Sequence, residues 1–96
     1  MIKETSIVVT AKDQRYSNLD QDTVILDLKS EEYYGLNRVG SIVWHLLQEP
    51  KPVREIQEVI LSKYNVEAEQ CFQDLKVFLE SLETQELIKV LESASV

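Results

Sequence analysis

The sequence predicts an α+β fold in which a three-stranded antiparallel sheet is followed by three helices. Apolar residues alternate with a period of two in the first third of the chain. The period turns helical at Asn37, and prolines and polar turns then divide the remainder into three amphipathic stretches. At 96 residues, 44% of them apolar, the chain is expected to form a single domain, residues 1–96, with one modest core.

Ser6 to Ala11 is short and β-branched, the composition of a strand. Lys12 to Asp22, rich in Asp, Gln, Asn and Ser, is expected to be a loop. Thr23 to Leu28 alternates, with Val24, Leu26 and Leu28 on one face and Thr23, Ile25 and Asp27 on the other. Lys29 and Ser30 make a tight polar break, and Glu31 to Leu36 forms the third strand. Short connections favour antiparallel neighbours, so the simplest topology is a meander with its third strand at an edge.

Asn37 is a good N-cap for a helix over Arg38 to Gln48, whose apolar face is Val39, Ile42, Val43, Leu46 and Leu47. Glu49-Pro50-Lys51-Pro52 ends it, and Pro52 stands where the next helix can begin. Val53, Ile56, Val59, Ile60 and Tyr64 recur at helical spacing in helix two. Asn65 to Glu67 is a turn, and helix three runs from about Ala68 to Gln85. There Cys71, Leu75, Phe78 and Leu82 make a sufficient core stripe, while Ala68, Phe72 and Leu79 lie on an adjoining flank. Phe72 and Leu79 are therefore either further core residues or one wall of an apolar groove. The element order has winged helix-turn-helix character.

Several chemistries lack their residues. The one histidine, His45, has no cysteine near it, so metal-ligand spacing is missing. The one cysteine, Cys71, sits among Glu69, Gln70 and Asp74 with no basic neighbour to activate it, and reads as a packed small residue. Two glycines cannot build a phosphate loop. No enzymatic activity, cofactor or metal is expected. A lone cysteine and the lack of a basic-then-apolar N-terminus point to a reduced, cytoplasmic setting without a secretory signal. No apolar run could span a membrane.

The net charge is −7, unevenly spread. Residues 1–36 contribute −3, residues 37–66 contribute +1 and residues 67–96 contribute −5. A winged-helix DNA-binding protein shares this element order but needs a basic reading helix. Helix three holds Lys76 against five acidic residues from Glu69 to Glu86, so a nucleic-acid partner is not expected. An acidic carrier protein would need a serine for a phosphopantetheine arm at a helix start, in an Asp-Ser-Leu-like context, which is missing.

The stretch Val24-Ile25-Leu26-Asp27-Leu28, followed by Glu32-Tyr33-Tyr34-Gly35-Leu36-Asn37-Arg38-Val39-Gly40-Ser41-Ile42-Val43-Trp44, resembles the signature of the PqqD family. Ile56, Ile60, the Tyr64-Asn65-Val66 turn, and Leu75, Phe78, Leu79 and Leu82 agree with it, so the resemblance covers roughly residues 5–90. It implies a recognition element for ribosomally synthesised, post-translationally modified peptides, a peptide chaperone that binds a precursor's leader segment. The Leu36-Asn37-x-x-Gly40 form is most similar to the discrete leader-binding proteins of lasso-peptide pathways. There the implied partners are a leader-cleaving cysteine protease and a macrolactam synthetase resembling asparagine synthetase. The other implied role is that of PqqD proper, serving a radical enzyme in pyrroloquinoline quinone synthesis or another such peptide pathway.

The residues suit such a role, since an edge strand can accept an extended peptide as a further strand. The candidate site is the edge Glu31, Glu32, Tyr33, Tyr34, Gly35 and Leu36, faced by Phe72, Leu75, Lys76 and Leu79 of helix three. Tyr33 and Tyr34 are equally readable as ordinary strand filling, and Glu31 and Glu32 as guards against self-pairing. Asn37 and Gly40 are assigned to capping and close packing. Glu83, with Glu31 and Glu32, would form an acidic rim favouring a leader with Lys or Arg near its anchors. By resemblance to lasso pathways, that leader would carry a Tyr-x-x-Pro segment.

Overall fold

In a computed structural model, which describes residues 2–12 and 14–91, the chain forms six strands and three helices. They run β1 (Ile7–Thr10), β2 (Gln14–Leu19), β3 (Asp22–Asp27), β4 (Glu32–Leu36), α1 (Arg38–Leu46), β5 (Lys51–Pro52), α2 (Val53–Lys63), α3 (Ala68–Thr84) and β6 (Ile88–Leu91). The α+β class, the antiparallel pairing and the three helices agree with the sequence reading; the sheet arrangement differs from it.

Two three-stranded sheets replace the single meander, one ordered β2-β3-β4 and the other β5-β1-β6. The expected loop over 12–22 contains β2, which pairs along its whole length with β3, Gln14 opposite Asp27 through Leu19 opposite Asp22. All of β2 after Gln14 is exposed, so no burial demanded the apolar alternation by which a strand is recognised. A two-residue reversal at Asp20 and Gln21 closes the hairpin, Asp20 taking the left-handed conformation at φ 58°. β1 instead lies central in the other sheet, with β5 and β6 antiparallel on either side. β6 follows α3 through a left-handed Glu86 (φ 62°), with the Leu87 amide bonded to Leu82 O at 2.9 Å. Gln14 Nε2 donates to Leu87 O at 2.8 Å, a link between the two sheets.

The core lies between the sheets and the helices, and Trp44, Leu47, Ile56, Leu79 and Leu87 are among its largest fully buried side chains. On β3 the buried face is Thr23, Ile25 and Asp27. Its two polar members are satisfied. The Thr23 hydroxyl is hydrogen-bonded to that of Ser41 on α1. The Asp27 carboxylate accepts from the Lys29 amide at 3.0 Å and the Ser30 hydroxyl at 3.1 Å, which fixes the turn into β4.

Asn37 caps α1 as expected, its side chain accepting from the Gly40 amide at 2.9 Å. The buried face of α1 is Gly40, Ser41, Val43 and Trp44, whereas Ile42 and Leu46 are only half-buried. In α2, Val53, Ile56 and Ile60 enter the core, and the buried Gln57 donates from Nε2 to Ala68 O at 3.0 Å. That bond ties α2 to the first residue of α3. α3 buries Cys71, Leu75, Leu79 and Leu82.

Candidate functional site

β4 is the terminal strand of its sheet, registered against β3 from Glu32 opposite Asp27 to Leu36 opposite Thr23. Among the described residues no strand lies on its outer side, so alternate backbone N–H and C=O groups there face away from β3. Tyr34 and Leu36 share the face that β3 buries; Tyr33 points the other way and is 71% exposed. The tyrosine pair thus divides as alternation requires, Tyr34 packing against the core and Tyr33 standing in solvent. The Tyr34 hydroxyl donates to Gln85 Oε1 at 3.0 Å, which joins the edge strand to the end of α3.

A groove of about 440 Å³ opens beside the C-terminal end of this strand. Gly35, Leu36 and Asn37 enter it from β4 and the cap; Val39, Gly40 and Val43 from α1; and Ile60, Tyr64 and Val66 from α2 and the turn after it. Cys71, Asp74, Leu75 and Phe78 form the α3 side. Among the described residues Asp74 is the one charged side chain in this lining, accepting from Gln70 Nε2 at 2.8 Å. The walls are otherwise almost wholly apolar, which suits an occupant that brings large apolar side chains.

The shape depends on Gly40. A Cβ there would sit 3.2 Å from Phe78 Cζ and 3.3 Å from Leu36 Cβ, so the missing side chain lets the Phe78 ring lie against α1. Cys71 lies in the wall as a buried thiol, its pKa raised by desolvation and then by the neighbouring Asp74 carboxylate. Both causes favour the neutral thiol over the nucleophilic thiolate.

The groove brings together Gly35, Leu36 and Leu75 of the residues named from sequence. Leu79 is fully buried, so it belongs to the core and has no free surface to offer as a wall. Phe72 is half-buried against the core, Lys76 is half-buried, and Glu83 is exposed near the C-terminal end of α3. Glu31 precedes β4 and occupies a left-handed turn position (φ 60°), its amide bonded to Asp27 O at 2.8 Å; Glu32 begins the strand. Phe78, Gly40, Val39 and Tyr64 were not among the predicted contacts. The flank of α3 that opens to the groove is the Cys71–Asp74–Phe78 side. The neighbouring Phe72–Leu79 side, which the width of the apolar arc suggested, packs inward at Leu79.

Fold and groove together define an α+β domain with an open sheet edge beside an apolar groove, an arrangement suited to holding an extended peptide. The chain belongs to the PqqD family: the family model described as Coenzyme PQQ synthesis protein D (PqqD) matches residues 22–88. The chain is similar to the solved structure of TbiB1 in complex with the TbiA(beta) leader peptide, with a TM-score of 0.80 and 33% identity over 84% of this chain and 94% of that one. A lasso peptide synthetase B1 complexed with the leader peptide is similar as well, with a TM-score of 0.71 and 25% identity over 85% and 96% of the two chains. No curated protein matches the chain in sequence.

Proposed function

We propose that this chain binds the leader segment of a ribosomally made precursor peptide, of the lasso class, as an added strand along β4. The observation that carries this reading is the open edge of β4 running beside an apolar groove, in a fold whose two similar structures each hold a leader peptide. Backbone pairing along β4 gives sequence-tolerant affinity, and side chains on one face of the guest reach the groove. Phe78, Val39, Tyr64 and Leu75 hold the guest's large apolar residues, and Asp74 meets a donor among them.

The role is presentation without catalysis, in the cytoplasm, the bound leader being handed to a leader-cleaving cysteine protease and an asparagine-synthetase-like macrolactam synthetase. No helix among the described residues is long and apolar enough to cross a membrane. The family description favours a second reading, that of a peptide chaperone for a radical enzyme in pyrroloquinoline quinone synthesis. The two are separated by titrating fluorescently labelled leaders of each precursor class and following anisotropy. Saturable binding of a lasso leader, with none for the isolated core peptide, is the expected result. Preference for a pyrroloquinoline quinone precursor would transfer the protein to the second pathway, and affinity for neither leader would end the peptide-binding reading.

A further inference from the structure

A second groove lies where the β2–β3 turn, α1 and α2 meet, and it shares no lining residue with the first. Its floor is the half-buried Ile42, Leu46 and Val59, and its rim is the exposed Arg38, His45 and Lys63. Among the described residues no acidic side chain lines it, although the protein carries −7 overall. Among the described residues the one ion pair is Lys51 with Glu49, at 3.9 Å, so Arg38 and Lys63 have no carboxylate of a described residue within bonding distance. Arg38 also stands in the first turn of α1, where the helix dipole disfavours a cation and no acidic residue offsets it. A cation in that place makes the local field more positive at some cost to the helix. His45 is oriented by the 2.7 Å bond between its Nδ1 and Ser41 O, which makes Nδ1 the protonated nitrogen. The Tyr16 ring packs edge-on against the imidazole at 5.5 Å and holds it at the rim.

We propose that this groove docks an acidic, partly apolar segment of the enzyme that processes the bound peptide, an inference that rests on the presenting role proposed above. Carboxylates of the segment pair with Arg38 and Lys63, and its apolar side chains cover Ile42, Leu46 and Val59. The two grooves occupy different faces of α1, with Val39, Gly40 and Val43 on one and Arg38, Ile42, His45 and Leu46 on the other. Peptide and enzyme are thus held at the same time without competing, as presentation requires.

The test pairs the charge reversal Arg38→Glu with Lys63→Glu in one variant and the neutral Arg38→Gln with Lys63→Gln in another. The cognate protease and synthetase are each titrated against the chain without peptide, and labelled leader is titrated separately. Reversal is expected to weaken binding of at least one enzyme about tenfold or more, with the neutral variant intermediate and leader affinity unchanged. Salt at roughly 0.5 M should weaken the wild-type enzyme complex as well, because rim charges are screened. Unchanged binding of both enzymes overturns the proposal. So does wild-type retention of duplex DNA that the reversal abolishes, or a sedimenting dimer that it dissociates, since the occupant is then nucleic acid or a second copy. Loss of leader binding by the wild type alone would count against the peptide reading, while the enzyme titrations would still decide this one.

Discussion

Gly40 on α1 and Phe78 on α3 touch because one of them has no side chain: a Cβ at Gly40 would lie 3.2 Å from the Phe78 ring. The contact brings together two sides of the groove beside β4, so the size of residue 40 sets the position of the ring. Gly40→Ala should be near neutral in stability, because alanine gains about 1 kcal/mol of helix propensity while crowding opposes it. Gly40→Val should lower stability by the roughly 1–3 kcal/mol that overpacking typically costs, and by displacing the ring that lines the groove it should also weaken leader binding. Anisotropy beside thermal melts checks this. Valine binding as tightly as glycine would show that the groove tolerates a moved Phe78.

Phe78 and Leu79 are neighbours with opposite fates, and truncation should separate them. Leu79 is fully buried, so Leu79→Ala should lower stability by about 2–5 kcal/mol and weaken binding only as far as the fold is lost. Phe78 is half-buried and lines the groove, so Phe78→Ala should cost affinity, roughly 1.5–3 kcal/mol if the guest covers the ring, beyond its effect on the melt. Calorimetric titration of both variants at a temperature where each is folded makes the comparison.

The neighbours also show what the sequence could and could not disclose. Periodicity located α1, α2 and α3, and the Asn37 cap, because burial on one side imposes a pattern of 3.6. The edge position of β4 followed from short connections. β2 was illegible because nothing buries it beyond Gln14, and its strand is held by backbone pairing with β3 that leaves no hydrophobic signature. β6 was hidden by its length and by a left-handed Glu86 where glycine usually marks a helix end. Within α3, Phe72, Phe78 and Leu79 all lie on one broad apolar arc. Which of them opens to the groove depends on where α1 and α2 pack, and that information is tertiary.

Glu31 offers a test of turn chemistry against rim charge. Its left-handed conformation costs a side-chain-bearing residue about 1 kcal/mol, which glycine avoids at some cost in unfolded-state entropy. Glu31→Gly should therefore leave the melting temperature unchanged or slightly raised. If Glu31 also attracts a basic leader, the variant should lose affinity at low salt and regain parity with the wild type at high salt. Equal affinity at every salt concentration would confine Glu31 to the turn.

Cys71 should behave as an inert thiol with an alkaline signature. Burial and then Asp74 raise its pKa above the ordinary value of 9.0, so the folded state holds the proton more tightly than the unfolded chain. The associated stability is complete below about pH 9 and is lost as the pH climbs through the raised native value. Disulfide-exchange reagents should react slowly near neutral pH and rapidly once urea unfolds the chain. Saturating leader should slow the native reaction further, because Cys71 lines the groove. A native rate equal to the unfolded rate would contradict the buried thiol.

Amide exchange decides the geometry of the added strand. The sheets offer three kinds of strand: the central β1 and β3, paired on both sides; β2, β5 and β6, terminal but away from the apolar groove, with β2 exposed along its length after Gln14; and β4, terminal beside that groove. β1 pairs with β6 along its length and with β5 at Ile7 and Val8, so a guest would have to expel a neighbour. β2 can pair with a guest but offers it little burial, and backbone pairing alone contributes modestly in water because each bond replaces bonds to solvent. β4 combines outward backbone groups with buried surface for the guest's side chains, so it should win. Adding leader should slow exchange at the outward amides within Glu32–Leu36 and leave those of β1 and β2 as they were. A proline in the guest is tolerated where its missing N–H would face away from β4. Phe78→Ala should reduce this protection at a fixed leader concentration, because the groove anchors and the strand pairing bind as one unit. Protection appearing on β2, or on β4 without any dependence on Phe78, would mean that the peptide pairs with an edge but does not use the groove.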